Sequence, residues 1–292
     1  VSVQQRQAVD TALRTPRPRP ATIEEIRADF VALMATMRVP GGVRTGETTL
    51  GGRRALLVER ERDPRPGTVL YFHGGSHVFG SPETALSLTA NLVARTGFRA
   101  YSLDYRLAPE HPFPADVEDG VAAYRDLLGY GPVALAGDSA GGALTVSTTL
   151  SLRAAGLPLP AGIVSLSGAF DYTRSGESFT TRAALDPVLS PGEIGYLGGL
   201  YVGDADPADP RLAAAVTGDL TGFPPVLLQV GTNEILLDDS VRLARRAWDA
   251  GADVVLDVTA GVPHVFQSYA GVLDEADEAL DRAALFLTQR LG

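Results

Sequence analysis

Val133-Ala134-Leu135-Ala136-Gly137-Asp138-Ser139-Ala140-Gly141-Gly142 decides how the rest of the chain is read. Four apolar residues suited to a buried strand run into Gly137-Asp138-Ser139-Ala140-Gly141, and the small-residue run from Gly142 to Ala155 suits a helix. A serine between strand and helix sits on a sharp, strained turn. Its flanking glycines are needed because a Cβ there would collide with neighbouring backbone. The turn exposes the hydroxyl, and the helix N-terminus behind it favours developing negative charge. The pattern predicts a nucleophile at Ser139. The plainer reading, a glycine-rich helix start with an incidental serine, fits poorly with strand and helix on the correct sides.

Working outward, the same alternation recurs. Apolar runs at 68–73, 99–104, 162–167, 226–231 and 253–258 read as strands, and residues 43–59 read as two more, turning at Gly51-Gly52. Near-continuous apolar strands suit a sheet covered on both faces. Helices are punctuated between them: from Ser81-Pro82 to Gly97, over about 115–128, from Ser139 to near Gly156, through Val241, Ala244, Ala247 and Trp248 to Gly251, and over 273–290 with Leu280, Ala284 and Leu287 on one face. Two helical segments come first. In the second, Thr22 and Glu25 form a capping box, and Ile23, Ile26, Phe30, Leu33, Met34 and Met37 recur at helical spacing until Pro40. Eight strands and at least six helices in βα alternation predict an α/β fold with a mostly parallel sheet and helices on both faces. Residues 175–202 break the alternation and read as an insertion over the sheet.

Composition narrows the chemistry. The 292 residues hold 25 Lys+Arg against 35 Asp+Glu, a formal charge of −10, and every basic residue is Arg. With no Lys and no Cys, thiol nucleophiles, thiolate metal sites, Schiff-base lysines and P-loop lysines are excluded. The acidic balance argues against nucleic acid, since the only basic cluster is Arg14, Arg17 and Arg19 in a Pro-rich stretch, read as a solvated linker. No apolar run approaches the ~18 residues of a membrane span, and the polar start does not resemble a signal peptide, so a cytoplasmic protein is expected. Asp204, Asp206 and Asp209 lack calcium-loop spacing and are interrupted by Pro207, which favours a surface turn.

A serine nucleophile needs an oxyanion site, a base and an orienting acid. His73-Gly74-Gly75-Ser76 follows the strand ending Tyr71-Phe72, and two glycines there free backbone N–H groups to bind an oxyanion together with the Ala140 amide. Each such donor is typically worth roughly 3 kcal/mol. Only four histidines exist. His73 and His77 precede the serine, His111 lies in a Pro-rich loop, and only His264 satisfies the order Ser, acid, His of this elbow class. For the acid, Glu234, Asp238 and Asp239 follow the strand at 226–231. Position favours Glu234, while the two aspartates suit the start of the next helix.

Together these residues resemble the bacterial hormone-sensitive-lipase-like carboxylesterases of the α/β-hydrolase fold. The resemblance rests on His73-Gly74-Gly75, on the run from Asp104-Tyr105-Arg106-Leu107-Ala108-Pro109-Glu110-His111 to Ala115, on Gly137-Asp138-Ser139-Ala140-Gly141-Gly142, and on Pro263-His264-Val265-Phe266. It implies an eight-stranded core at 43–174 and 203–292, with a helical cap made of 1–42 and the insertion 175–202. It also implies a Ser139/Glu234/His264 triad and an oxyanion hole from Gly74, Gly75 and Ala140. The family's third glycine is Ser76 here and its neighbouring aromatic is His77, which makes the pocket beside the hole more polar. Glu234-Ile235 stands where Asp-Pro is common, as in the lactone-hydrolase and acetyl-hydrolase subgroup.

The expected function is a serine carboxylesterase acting on small-molecule short-chain esters or lactones, without metal or organic cofactor and without membrane or nucleic-acid partners. A homodimer is compatible with this reading. The alternative keeps the site but makes it an amide deacetylase, acyltransferase or natural-product lyase or cyclase. A silent binding protein is disfavoured by the presence of His264. Long-chain interfacial lipids are disfavoured by Glu177, Arg182, Asp186 and Glu193 in the insertion.

Overall fold

The computed structural model describes residues 2–16 and 20–292. Strands β1 (Val43–Leu50) and β2 (Arg53–Arg60) form the hairpin expected at Gly51-Gly52, both of which have positive φ. The remaining strands are β3 (Thr68–Phe72), β4 (Arg99–Leu103), β5 (Val133–Asp138), β6 (Ile163–Leu166), β7 (Val226–Gly231) and β8 (Val254–Thr259). Their order in one sheet is β1-β2-β4-β3-β5-β6-β7-β8, with β2 antiparallel to its neighbours and all other pairs parallel.

Nine α-helices lie among the described residues: α1 (Ser2–Arg14), α2 (Ile23–Met34), α3 (Leu86–Thr96), α4 (Ala115–Leu127), α5 (Ala140–Ala154), α6 (Ser178–Thr181), α7 (Pro191–Val202), α8 (Leu237–Asp249) and α9 (Asp274–Leu291). Period-two alternation sends Leu70 and Phe72 of β3 into a core with Tyr124, Leu144 and Leu243 from α4, α5 and α8. Val69 and Tyr71 enter the opposite core with Leu88 and Leu92 of α3 and Leu280 and Leu287 of α9. Burying both faces explains why the strands read as unbroken apolar runs.

Several details depart from the sequence reading. The helix expected from Ser81-Pro82 begins only at Leu86, because Thr84 Oγ1 accepts from Ser81 N and donates to Ser81 O, closing a turn instead. On α8 the buried stripe is Leu243, Ala244 and Ala247, whereas Val241 and Trp248 are 38% and 48% exposed. The Trp248 indole N–H donates to Val254 O at the helix end. The capping box of α2 forms, but none of its residues is fully buried; Phe30 meets Phe79 edge-on at 4.8 Å, and Arg27 pairs with Glu110. Arg14 pairs with Asp10 and donates to Leu185 O; Arg17 and Arg19 lie outside the described residues. Asp206 and Asp209 close turns onto the Ala208 and Arg211 amides. Among the described residues no helix is long and apolar enough to cross a membrane.

Candidate active site

Ligand crevices in such sheets open at the carboxyl ends of strands where the order reverses direction. Here β3 has β4 on one side and β5 on the other, so the loops after β3 and β5 splay apart. His73-Gly74-Gly75 leaves β3 and Ser139 leaves β5 at that point.

Ser139 has φ 53° and ψ −120°, a strained conformation for a side-chain-bearing residue, and is clamped by its N–H donating to Leu166 O at 2.8 Å. A Cβ on Gly137 would run into the Gly141 and Phe72 backbone, and one on Gly141 into the Phe72 and His73 carbonyls, so both glycines are sterically required. Ser139 occupies the N-cap of α5 without capping it. Its Oγ instead lies 2.8 Å from His264 Nε2. The amides of the first turn of α5 are thereby left for an anion.

His264 Nδ1 lies 2.8 Å from Glu234 Oε2, and Glu234 is fully buried. The other oxygen, Oε1, accepts from Gly231 N–H and from Ser167 Oγ–H at 2.8 Å. Ser167, itself at φ 54°, accepts in turn from Val265 N at 3.1 Å. The structure therefore joins Ser139, His264 and Glu234 in one line. The competing carboxylates are engaged elsewhere: Asp238 accepts from Ser178 N, and Asp239 from the amides of Phe170 and Asp171. Burial would depress the His264 imidazole, but the hydrogen bond and charge of Glu234, with Asp186 and Asp138 behind it, raise it above its ordinary value. Burial pushes the Glu234 carboxyl up, against the pull of His264, Gly231 N–H and Ser167.

The loop after β3 differs from expectation in one respect. Burial raises the Asp138 carboxyl to about 6, opposed by the Tyr71 hydroxyl, the His264 charge and a hydrogen bond from the Gly74 amide. The Gly74 N–H is thus committed to Asp138, and a Cβ there would overlap that carboxylate. The amides of Gly75 and Ser76 find no acceptor among the described residues, and Ser76 lines the same cavity as Ser139 and Ala140. The Asp104–Ala115 run braces this loop from behind: Tyr105 donates its hydroxyl to His73 O at 2.7 Å, and Ala108 N donates to His77 O at 2.8 Å.

His73 is fully buried, stacks on Tyr105 at 4.2 Å and is lowered to about 4 by burial. His77, expected to make the pocket polar, is also buried. It stacks on Tyr201 of α7 at 3.7 Å, with Nδ1 2.7 Å from Asp116 of α4, so it braces the pocket wall and does not line the cavity beside Ser139. His111 is exposed.

The cavity beside Ser139 is a narrow, partly open cleft of about 20 Å³. Besides Ser76 and Ala140, its walls are Ala169, Leu189, Ile194 and Leu236, with Tyr172, Arg174 and Gly198 completing it. Residues from the insertion therefore line the same cleft as Ser139. Asp186, counted from sequence among the insertion charges that disfavour interfacial lipids, is buried and accepts from Ile235 N, Val188 N and Leu189 N, tying the insertion to the loop that carries Glu234. Sequence reading missed Ser167, Asp138, Tyr172 and Arg174 as site residues; only Asp138, inside the elbow, carried a local signal. Among the described residues no group of three or more His, Asp or Glu is arranged to hold a metal.

Residues 69–268 match a family described as alpha/beta hydrolase fold. An acetyl-hydrolase of Streptomyces hygroscopicus is 43% identical over 255 residues, 86% of this chain and 85% of that protein. An esterase of Acinetobacter venetianus is 34% identical over 229 residues, 75% of this chain and 74% of that protein. Among solved structures, an esterase of the bacterial hormone-sensitive lipase family superposes with a TM-score of 0.93 at 38% identity, covering 99% of both chains. A hormone-sensitive lipase from a metagenome library gives 0.95 at 37% identity, covering 98% of both.

Proposed function

The chain belongs to the bacterial hormone-sensitive-lipase-like esterases of the α/β-hydrolase fold and is a carboxylic ester hydrolase, and we propose that Ser139 is its nucleophile, His264 its base and Glu234 its orienting acid. The observation that carries this reading is the pair of 2.8 Å contacts linking Ser139 Oγ, His264 Nε2, His264 Nδ1 and Glu234 Oε2.

Ser139 Oγ attacks the ester carbonyl while His264 Nε2 takes its proton; the raised basicity of His264 drives the transfer, and Glu234 holds the Nδ1–H tautomer and stabilises the imidazolium. His264 then protonates the leaving alkoxide, and water activated by the same imidazole releases the acid from Ser139. The tetrahedral oxyanion is held by the Ala140 amide at the start of α5 together with the Gly75 and Ser76 amides. Gly74, whose N–H serves Asp138, holds the loop.

The substrate is a small ester or lactone with a short acyl group, supported by the narrow cleft beside Ser139 and its Leu189, Ile194 and Leu236 walls. The helices α1 and α2 and the insertion 175–202 act as its cap, supported by the insertion residues beside Ser139. A homodimer is supported by the edge strand β8, which exposes Val255 and Val258; light scattering tests it. We place the enzyme in the cytoplasm, in keeping with its small-molecule substrate; fractionation of the source cells tests that.

Ser139→Ala is expected to abolish hydrolysis of p-nitrophenyl butyrate with the fold intact by circular dichroism. Retention of near-full activity refutes the nucleophile assignment.

A further inference from the structure

Arg174 is the one charged side chain among the residues lining the cavity beside Ser139. It follows β6 in Asp171-Tyr172-Thr173-Arg174-Ser175 and sits at φ 56°, a left-handed conformation uncommon for a residue with a long side chain. Its guanidinium carbon lies 4.6 Å from the Tyr172 ring centroid and 5.7 Å from that of Phe179. Across the cavity α7 places Gly198, where a Cβ would come 3.1 Å from Arg174 Nη2. The missing side chain at 198 makes room for the guanidinium.

Arg174 makes no ion pair among the described residues. Among the described residues the one hydrogen bond of its guanidinium is a long donation from Nη1 to Asp171 O at 3.4 Å. Two acids lie nearby, and the Arg174 charge acts on the Asp239 carboxyl, but both are hydrogen-bonded to other groups. Asp171 accepts from Thr173, Ser175 and Arg242, and Asp239 accepts from the amides of Phe170 and Asp171. A half-buried guanidinium with most of its five N–H groups unmatched by carboxylate carries a desolvation cost that stacking on aromatic faces offsets only in part. A carboxylate entering the cavity would meet a planar donor fork already oriented by Tyr172 and Phe179.

We propose that Arg174 selects substrates whose acyl group ends in a carboxylate, that is, half-esters of short dicarboxylic acids. The inference rests on the reading of Ser139 as nucleophile and assigns the chemistry of the acyl pocket. The acyl side is favoured because the acyl group stays on Ser139 after the alcohol departs, and the cleft that Ser139 and Arg174 both line is the space beside it. Reaction at the ester is unchanged: Ser139 Oγ bonds to the carbonyl carbon, the alkoxide leaves with the proton from His264, and water releases the dicarboxylate. The distal carboxylate takes no part in bond making.

The test compares monomethyl glutarate, methyl hexanoate of similar length, and the butyrate ester of glycolate, which carries its charge on the alcohol, each followed by acid release at constant pH. Wild type is expected to favour monomethyl glutarate, and Arg174→Leu to cut the ratio of its kcat/KM to that of methyl hexanoate by about ten- to a hundredfold, with Arg174→Lys between. A ratio that moves by less than about threefold overturns the proposal. A preference for the glycolate ester that depends on Arg174 overturns the acyl-side assignment. Calorimetric binding of glutarate to Ser139→Ala, and its loss in Ser139→Ala/Arg174→Leu, reads the same site without turnover. If glutarate binds through Arg174 but no ester is hydrolysed by wild type, the nucleophile reading fails, the half-ester selectivity falls with it, and only carboxylate binding at Arg174 survives. If esters are cleaved without charge preference and glutarate does not bind, the nucleophile reading stands and this proposal fails.

Discussion

Replacing Glu234 by Gln keeps the shape of the acid and removes only its charge and one acceptor. Its Oε1 accepts two hydrogen bonds, from Gly231 N–H and from Ser167 O–H. The hydroxyl of Ser167 cannot easily turn away, because its oxygen already accepts from Val265 N. A glutamine carbonyl must therefore take the Oε1 position, and the amide NH₂ is delivered to His264 Nδ1 in place of Oε2. Flipping the amide would set NH₂ against two donors, costing about 1–3 kcal/mol for each buried group left unpaired. Held this way, the amide donates to Nδ1, forces the proton onto Nε2 and leaves no lone pair facing Ser139 Oγ. Losing the tautomer and the imidazolium's counter-charge should lower kcat by about ten-thousandfold, equivalent to about 5 kcal/mol. The assay is kcat and KM for p-nitrophenyl butyrate, with thermal melting to show an intact fold. Activity within about tenfold of wild type in Glu234→Gln, together with a far larger loss in Asp238→Asn or Asp239→Asn, would refute the assignment of the acid.

Because Glu234 raises His264, the neutral base is present only above that raised value, so kcat/KM should fall with decreasing pH about a midpoint above the ordinary ~6.5. A midpoint near or below 6 contradicts the electrostatics, as does residual Glu234→Gln activity whose midpoint fails to move down. Gly141→Ala should destabilise by about 1–3 kcal/mol or more in urea unfolding, since the new methyl meets main chain of β3 that cannot yield; an unchanged midpoint refutes the steric argument. Tyr201→Phe removes the hydroxyl that α7 donates to buried Asp116 at 2.9 Å and should cost about 1–2 kcal/mol by thermal melting. Burial raises Asp239 to about 7 from 3.8, so its contribution to stability is complete at low pH and is lost as pH rises through about 7. Asp239→Asn should flatten that fall between about pH 4 and 7 in urea titrations, and an unchanged slope shows that another group causes it.

What the sequence carried was local chemistry at strand ends. Each strand was visible because burial on both faces leaves an unbroken apolar run, and Ser139 was visible because a tight turn admits only glycine at 137 and 141. Helix starts were less legible, as at Leu86, where a threonine side chain competes with the helix for the same backbone groups. His264 was reached because so few histidines exist. The amide directions after β3 were not legible. Whether Gly74 or Ser76 faces the oxyanion depends on φ values of 123° at Gly75 and 54° at Ser76, and on a carboxylate brought from the neighbouring strand. The same limit applies to His77, whose burial follows from Asp116 and Tyr201 closing on it from α4 and α7.

The sheet order explains why Ser167 had to exist in some form although nothing around it announced a site. Ser139, the proposed nucleophile, leaves β5, Glu234, the proposed acid, follows β7, and β6 lies between them. A carboxylate one methylene longer than aspartate must cross the end of β6 to reach His264, and its far oxygen then sits over whatever that strand presents. An apolar residue there would leave a buried charged oxygen with the Gly231 amide alone, at a cost that pKa displacement would report by neutralising the acid. Ser167 supplies the second donor and uses its remaining lone pair to hold Val265 N, the amide next to the base. One hydroxyl thus fixes acid and base against each other across three strands. Ser167→Ala should accordingly lower kcat more than it raises KM for a neutral ester, and an effect confined to KM would show that the contact only shapes the pocket.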